Sequence, residues 1–177
     1  MRTLKSSLSR GDTPDAKERF REYAVAAQPH LRRSAYLLCG DWHTAEDLVQ
    51  TTLGRLFRSW PRVQRADSVD AYARTVLFRA FLDLRKKDPR VLSLDQAPEP
   101  VARVDDAALR LAVRSALDTL PPKARAVVVL RFWEDMSVEQ TADALGVSTG
   151  TVKSQTSRAV ALLRVRLGDL AGELIHD

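Results

Sequence analysis

Four side chains near the C-terminus give the first chemical signal in this sequence: Lys153, Ser154, Ser157 and Arg158. Two cations and two small hydroxyls at helical spacing suit a polyanion. Lys and Arg can meet phosphates or guanine edges, and short hydroxyl side chains let a helix approach a groove floor. The stretch from Ser148 to Leu167 carries Lys153, Arg158, Arg164 and Arg166 and no acid. Its apolar residues, Val152, Ala159, Val160, Leu163 and Leu167, recur at a helical period. With that stripe turned inward, Thr149, Lys153, Ser154, Ser157 and Arg158 project outward in the N-terminal half. A solvated basic surface helix would carry the same charges, so the distinction rests on what precedes it.

What precedes it is a turn. Ser137-Val138-Glu139-Gln140 has the spacing of a capping box, in which hydroxyl and amide satisfy each other's free backbone N–H groups. Val138, Thr141, Ala142 and Leu145 then share one face of a short helix. Gly146 stands where that helix must stop, since glycine adopts the left-handed conformation without steric penalty. Ser148 offers a second N-cap. Short helix, glycine turn and longer acid-free helix make a helix-turn-helix, whose second helix enters the DNA major groove.

Other chemistries find little support. His30, His43 and His176 share no metal-ligand spacing with Cys39, and there is no glycine-rich phosphate loop. The acidic pairs Glu46/Asp47, Asp105/Asp106 and Glu134/Asp135 fall at helix starts or turns, where acids are expected anyway. No enzyme activity and no cofactor are therefore expected. Cys39, the single cysteine, reads as a small buried apolar residue. No apolar run approaches the roughly 18 residues of a membrane span, and the N-terminus lacks the apolar block of a secretion signal. A cytoplasmic protein without membrane insertion is expected. Net charge is +5 over 177 residues, but residues 1–90 hold 18 Lys/Arg against 11 Asp/Glu, and residues 91–177 hold 10 against 12. The second half is acidic on balance with its positive charge gathered on one helix, which favours a polyanion meeting defined faces.

The elements read as follows. Residues 1–13 are polar, serine-rich and aperiodic, a disordered extension. Thr13-Pro14 opens a helix with Phe20, Tyr23, Ala24 and Ala27 on one side. Pro29 starts a second segment through Leu31, Ala35, Leu38 and Cys39, ended by Gly40. After a turn at Asp41-Trp42-His43, Thr44 caps a helix with Leu48, Val49, Thr52, Leu53, Leu56, Phe57 and Trp60 apolar, ended by Pro61. A polar basic loop, Arg62–Ser68, leads to a long helix reaching about Lys87, capped by Asp67 or Ser68. Residues 88–104 hold three of the eight prolines and read as a linker. Asp105 or Asp106 starts the next helix, Pro121-Pro122 breaks it, and Lys123–Phe132 forms another before the helix-turn-helix. No strand-like alternation occurs. The fold class expected is all-α, with two small helical domains, residues 14–87 and 105–177, on a flexible linker.

The run Ala45-Glu46-Asp47-Leu48-Val49-Gln50, the basic loop, the long basic helix, the proline-bearing linker and LPPKARAVVVLRF…GVSTGTVKSQTSRA together resemble a bacterial RNA polymerase sigma factor. The resemblance is to the small extracytoplasmic-function (ECF) group of the sigma-70 family, which keeps regions 2 and 4. LLCGDWHTAEDLVQTTLGRLFRSWPRV is also similar to an actinobacterial subgroup called the SigE family. It covers about residues 16–170, and two domains in the right order are more specific than a lone helix-turn-helix.

The resemblance implies partners and places them. Asp47, Gln50 and Thr51 fall on the region 2 surface that docks on the clamp helices of the polymerase's largest subunit, with the flap as a further contact. Asp47 and Gln50, three apart, share a face able to pair with a basic helix. Arg62, Gln64, Arg65, Asp67 and Ser68 resemble the loop that captures a flipped −10 base, for which a polar pocket and a cationic track are needed. Tyr72, Arg74 and Arg79 lie where the family reads or melts the −10 region. Many relatives have tryptophan at the position of Tyr72 and asparagine at that of Arg79, so Arg79 would meet phosphate or guanine instead. Lys153, Ser154, Ser157 and Arg158 match −35 contacts, beside Thr149; Thr151 and Arg164 could anchor phosphates. Trp133 is expected to pack as core. An anti-sigma factor is a further partner the family implies. The alternative function is a stand-alone helix-turn-helix regulator with an N-terminal sensing domain, although no heptad seam suggests dimerisation.

Overall fold

The computed structural model describes residues 14–87 and 104–175. The expected extension 1–13, and the expected linker apart from Val104, lie outside the described residues. Within them all regular structure is helical. Helix α1 runs unbroken from Pro14 to Cys39 with Pro29 inside it, where two helices were expected. An internal proline removes one backbone donor and costs about 3 kcal/mol or more. Against that, residues on both sides of Pro29, among them Phe20, Leu31, Ala35 and Leu38, enter one core. Each large apolar side chain buried contributes about 1.5–3 kcal/mol, so a continuous α1 wins. The turn it weakens is exposed at Val25 and Pro29, where water can satisfy the freed carbonyl.

Gly40 ends α1 with φ +81°, and its N–H donates to the Tyr36 carbonyl at 2.8 Å. A side chain there would be strained and would overlap the Arg114 guanidinium. The extended residue after it, Asp41, caps α2 (Trp42–Arg58). Its carboxylate accepts from the backbone N–H of Thr44 at 2.6 Å and of His43 at 3.3 Å. The expected cap, Thr44, is thus a donor inside the first turn. Burial pushes the Asp41 carboxyl up, but the hydrogen bonds from Thr44 and His43 outweigh it and hold it below the usual range.

Pro61 begins a helix instead of ending one: it sits in the first turn of the short α3 (Trp60–Val63), where a missing N–H is harmless. Of the two expected caps for α4 (Val69–Lys87), Ser68 is the one used, its Oγ accepting from the Ala71 N–H at 3.1 Å. Helices α1, α2 and α4 pack on one another around Leu38, Leu56, Leu77, Phe78 and Phe81, all essentially without solvent exposure. Cys39 lies in the same core, and burial pushes its thiol up to about 12. The reading of it as an unreactive apolar residue agrees with both.

The second domain comprises α5 (Val104–Asp118), α6 (Pro122–Val128), α7 (Val138–Leu145) and α8 (Thr149–Ile175). A regular helix to Phe132 was expected; instead α6 widens into a π turn over Val129–Trp133. The two domains do not merely share a chain. Ala126, Val129, Leu130, Met136 and Ala144 belong to the same buried cluster as the α1–α4 core. Arg125, fully buried, donates across the seam to the Leu38 carbonyl at 2.8 Å.

Candidate nucleic-acid interface

The helix-turn-helix forms as its local sequence dictates. Ser137 Oγ accepts from the Gln140 N–H at 3.1 Å and Gln140 Oε1 from the Ser137 N–H at 2.8 Å, completing the capping box. Gly146 closes α7 at φ +66°. Ser148 caps α8, accepting from the Thr151 N–H at 3.1 Å. Two buried residues then fix the rotation of α8. Val152 packs with Val127 and Ala142, and Ala159 with Leu117, Leu120 and Val128. Pinning both leaves Thr149, Lys153, Ser154, Ser157 and Arg158 exposed. Thr151 is half-buried, its hydroxyl 2.9 Å from that of Ser148, and its carbonyl accepts from Ser154 Oγ at 3.0 Å. Beside this face Glu139 has its carboxyl held below the usual range, first by its own backbone N–H and the Ser137 hydroxyl, then by the charges of Lys153 and Arg131.

In the first domain, Arg62, Arg65, Asp67 and Ser68 are exposed, and Gln64 is half-buried with its Oε1 unpaired among the described residues. Pro61, Arg62, Arg65 and Ala66 line an open depression, a cationic rim around a shallow hollow. Tyr72 is 38% exposed on α4, on the solvent side and not in the core. Arg74 and Arg79 are different. Arg74 Nε lies 3.1 Å from Glu134 Oε2, and Arg79 donates to the Ala144 and Asp143 carbonyls at 3.0 and 3.3 Å. Both therefore bind the second domain.

On α2, Leu48 and Val49 are buried as expected, and Asp47, Gln50 and Thr51 form an exposed strip. Local partners order its upper edge: His43 Nδ1 is 3.4 Å from Asp47, and Gln50 Nε2 donates to Glu46 at 3.4 Å. Glu46 in turn pairs with Arg32 at 3.1 Å.

Sequence reasoning missed three residues. Glu134 reads as half of an acidic pair at a turn, yet it is buried against Ser34, His30 and Arg74. Ser34 carries no signal in α1. Arg125 does have one in retrospect, a lone cation flanked by Ala124 and the apolar run Ala126–Leu130. Trp133 is a correction: it is 44% exposed, not core, and its indole N–H donates to Ser34 Oγ at 3.0 Å. The π turn and the left-handed Asp135 beside it (φ +50°) carry this corner out to the seam between domains.

Comparison with known proteins bears on this geometry directly. The Sigma-70 region 2 family model matches residues 18–91 and the Sigma-70, region 4 model residues 110–163. The RNA polymerase sigma-E factor of Streptomyces coelicolor is 42% identical over 155 residues, 84% of this chain and 85% of that one. The chain belongs to the sigma-70 family, in its ECF group. Another relative of this sigma factor is the ECF RNA polymerase sigma factor SigE of Mycolicibacterium smegmatis, 35% identical over 80% of this chain and 58% of that one. Among solved structures, the sigma factor RpoE in complex with the anti-sigma factor NepR from Bartonella quintana is similar at TM-score 0.68 and 26% identity, covering 88% of this chain and 98% of that chain. CnrH in complex with the cytosolic domain of CnrY shares the fold at TM-score 0.64 and 23% identity, over 86% and 90% of the two chains. Region 2 thus corresponds to α1–α4, and region 4 to the helix-turn-helix domain.

Proposed function

We propose that this sigma factor binds core RNA polymerase and directs it to promoters, region 2 reading the −10 element and region 4 the −35 element. The observation that carries the reading is the exposed, acid-free face of α8, fixed by Val152 and Ala159 beneath it. Lys153 and Arg158 supply phosphate or guanine contacts, and Ser154 and Ser157 admit the helix to the major groove. In region 2 the rim of Arg62 and Arg65, with Gln64, Asp67 and Ser68, receives an unstacked base, and Tyr72 offers a ring to stack on. Strand opening follows from differential affinity: unpaired bases bind region 2 better than paired ones, so binding shifts the duplex toward the melted state. The strip Asp47, Gln50 and Thr51 docks on the polymerase. The protein carries out no covalent chemistry; it acts in the cytoplasm, with the polymerase. No helix among the described residues is long and apolar enough to cross a membrane. An anti-sigma factor covering the polymerase or DNA faces is a fitting further partner, since the RpoE and NepR proteins of Bartonella quintana form such a pair.

Run-off transcription with purified core polymerase tests this reading. Discrete start sites dependent on the protein, sharing spaced −10 and −35 elements, are expected. Failure to form holoenzyme, together with tight binding of the protein alone to a palindrome, would instead establish a stand-alone regulator.

A further inference from the structure

Three arginines from three helices gather where the end of α1 meets α4, α5 and α6. Arg125 of α6 is fully buried, Arg114 of α5 is 9% exposed and Arg85 of α4 is half-buried. The charges of all three bear on the Cys39 thiol. The Arg114 guanidinium fills the space that Gly40 leaves by lacking a Cβ, and Arg125 Nη1 donates to the Leu38 carbonyl at 2.8 Å. Burial pushes the Arg125 pKa down to about 10, and the charges of Arg114 and Arg85 push the same way against Asp118. Like charges are thus held together away from water, an arrangement that needs anions to compensate it. The anions present fall short. Asp118 Oδ1 is shared between Arg114 Nη1 at 2.6 Å and Arg125 Nη1 at 3.1 Å, and its side chain is 43% exposed. Asp41, the other acid near Cys39, spends its oxygens on the N–H groups of Thr44 and His43. The C-terminal end of α1 adds about half a negative charge.

Hydrogen bonding leaves the same deficit. Arg85 Nε and Nη1, Arg114 Nε and Arg125 Nε are closed to solvent and have no hydrogen-bond partner among the described residues. Buried donors are normally paired, and a guanidinium is a donor only, so the missing partner is an acceptor. We propose that Arg85, Arg114 and Arg125 form a binding site for a small phosphate-type dianion at the junction of α1, α4, α5 and α6. A tetrahedral dianion brings two charges and acceptors in several directions, and guanidinium forks match its edges. Asp118 opposes it only weakly, since solvent screens a carboxylate so exposed. The backbone of a DNA duplex cannot reach donors closed to solvent, so the ligand is free phosphate or the terminal phosphate of a nucleotide. None of the three arginines belongs to the faces assigned to DNA or polymerase, and the site stands independently of those assignments.

Urea unfolding of the full chain tests the site, with inorganic phosphate replacing chloride at fixed ionic strength and slightly alkaline pH, where phosphate is a dianion. The midpoint should rise with phosphate and saturate, as mass action on a folded-state site requires. Exclusion of phosphate from the protein surface also stabilises, but without saturation and equally in every variant. Arg85→Met keeps the aliphatic stem and removes one charge with its donors. It should weaken phosphate binding by about ten-fold or more, because charge-assisted bonds are the strong ones. Without phosphate it should be at least as stable as the parent chain, since one of three like charges has gone. Arg85→Lys keeps the charge but not the fork; it should bind with intermediate affinity and carries the comparison if Arg85→Met loses its helical signal. Calorimetric titration of the folded proteins with phosphate should give the same order. A nucleoside monophosphate as second probe names the source: binding at least as tight as that of phosphate assigns a nucleotide, and weaker binding assigns the free anion. A midpoint that does not respond to phosphate, or rises linearly and identically in the parent chain and both variants, would overturn the site. So would a clear loss of stability in Arg85→Met without phosphate, which would show that Arg85 already has its acceptor within the chain.

Discussion

Replacing Arg125 with methionine should destabilise the fold far more than a typical surface change. The guanidinium is fully buried at the junction of α6 with the end of α1. Nη1 donates to the Leu38 carbonyl at 2.8 Å, and Nη2 to those of Asp118 and Leu120 at 3.1 and 3.3 Å. It also lies 3.1 Å from the Asp118 carboxylate, but that side chain is 43% exposed and pairs with Arg114 as well. Solvent screens an exposed partner, so the ion pair is worth little, and the weight falls on the three carbonyls. Hydrogen bonds to a charged donor contribute about 1.5–3 kcal/mol each, roughly 4.5–9 kcal/mol in all. Burial acts in the opposite direction and pushes the Arg125 pKa down to about 10. Methionine fills much of the volume but leaves three carbonyls without this donor, at about 1–3 kcal/mol each, and with the desolvation cost of the guanidinium recovered a net loss of about 3–5 kcal/mol is expected. Urea unfolding of the full chain measures it directly. Asp118→Asn should cost under about 1 kcal/mol, since it removes only the screened pair. A loss for Arg125→Met below about 1 kcal/mol, or an equal loss for Asp118→Asn, would refute the assignment of the stabilisation to the carbonyls.

Three functional substitutions separate the faces of the molecule. Lys153→Ala and Arg158→Ala should each weaken −35 duplex binding by about 1–3 kcal/mol if they touch bases, or lower the salt slope by about one if they touch phosphates. Titration at several salt concentrations distinguishes these, and equal loss of polymerase binding would contradict a DNA role. Asp47→Arg should abolish holoenzyme assembly in a pull-down on core polymerase while leaving duplex binding by the protein unchanged; normal assembly would show that the α2 strip is not the docking surface.

How much could be read in the residues follows from the range of the interactions. Gly146 and the Ser137/Gln140 box fix the turn through bonds spanning only a few positions, and the structure has them as the spacing demands. The α8 face was equally legible, because a helical period and an absence of acids are local patterns. Near ties between local signals were not legible. Thr44 and Asp41 are both good caps, and only the extended conformation following Gly40 decides for Asp41. Pro29 locally ends a helix, and only the core shared by Leu31, Ala35 and Leu38 with residues before it carries α1 through.

By itself, then, the sequence determined an all-helical chain, its helix-turn-helix and the outward basic face, since each depends on neighbours within a turn or two. Only the tertiary structure decided that Glu134 is buried beneath Ser34, His30 and Arg74, and that Arg79 reaches the end of α7. Those contacts join residues 60 or more positions apart. No periodicity encodes such a meeting: a buried carboxylate and an exposed one carry the same letter until their partners arrive.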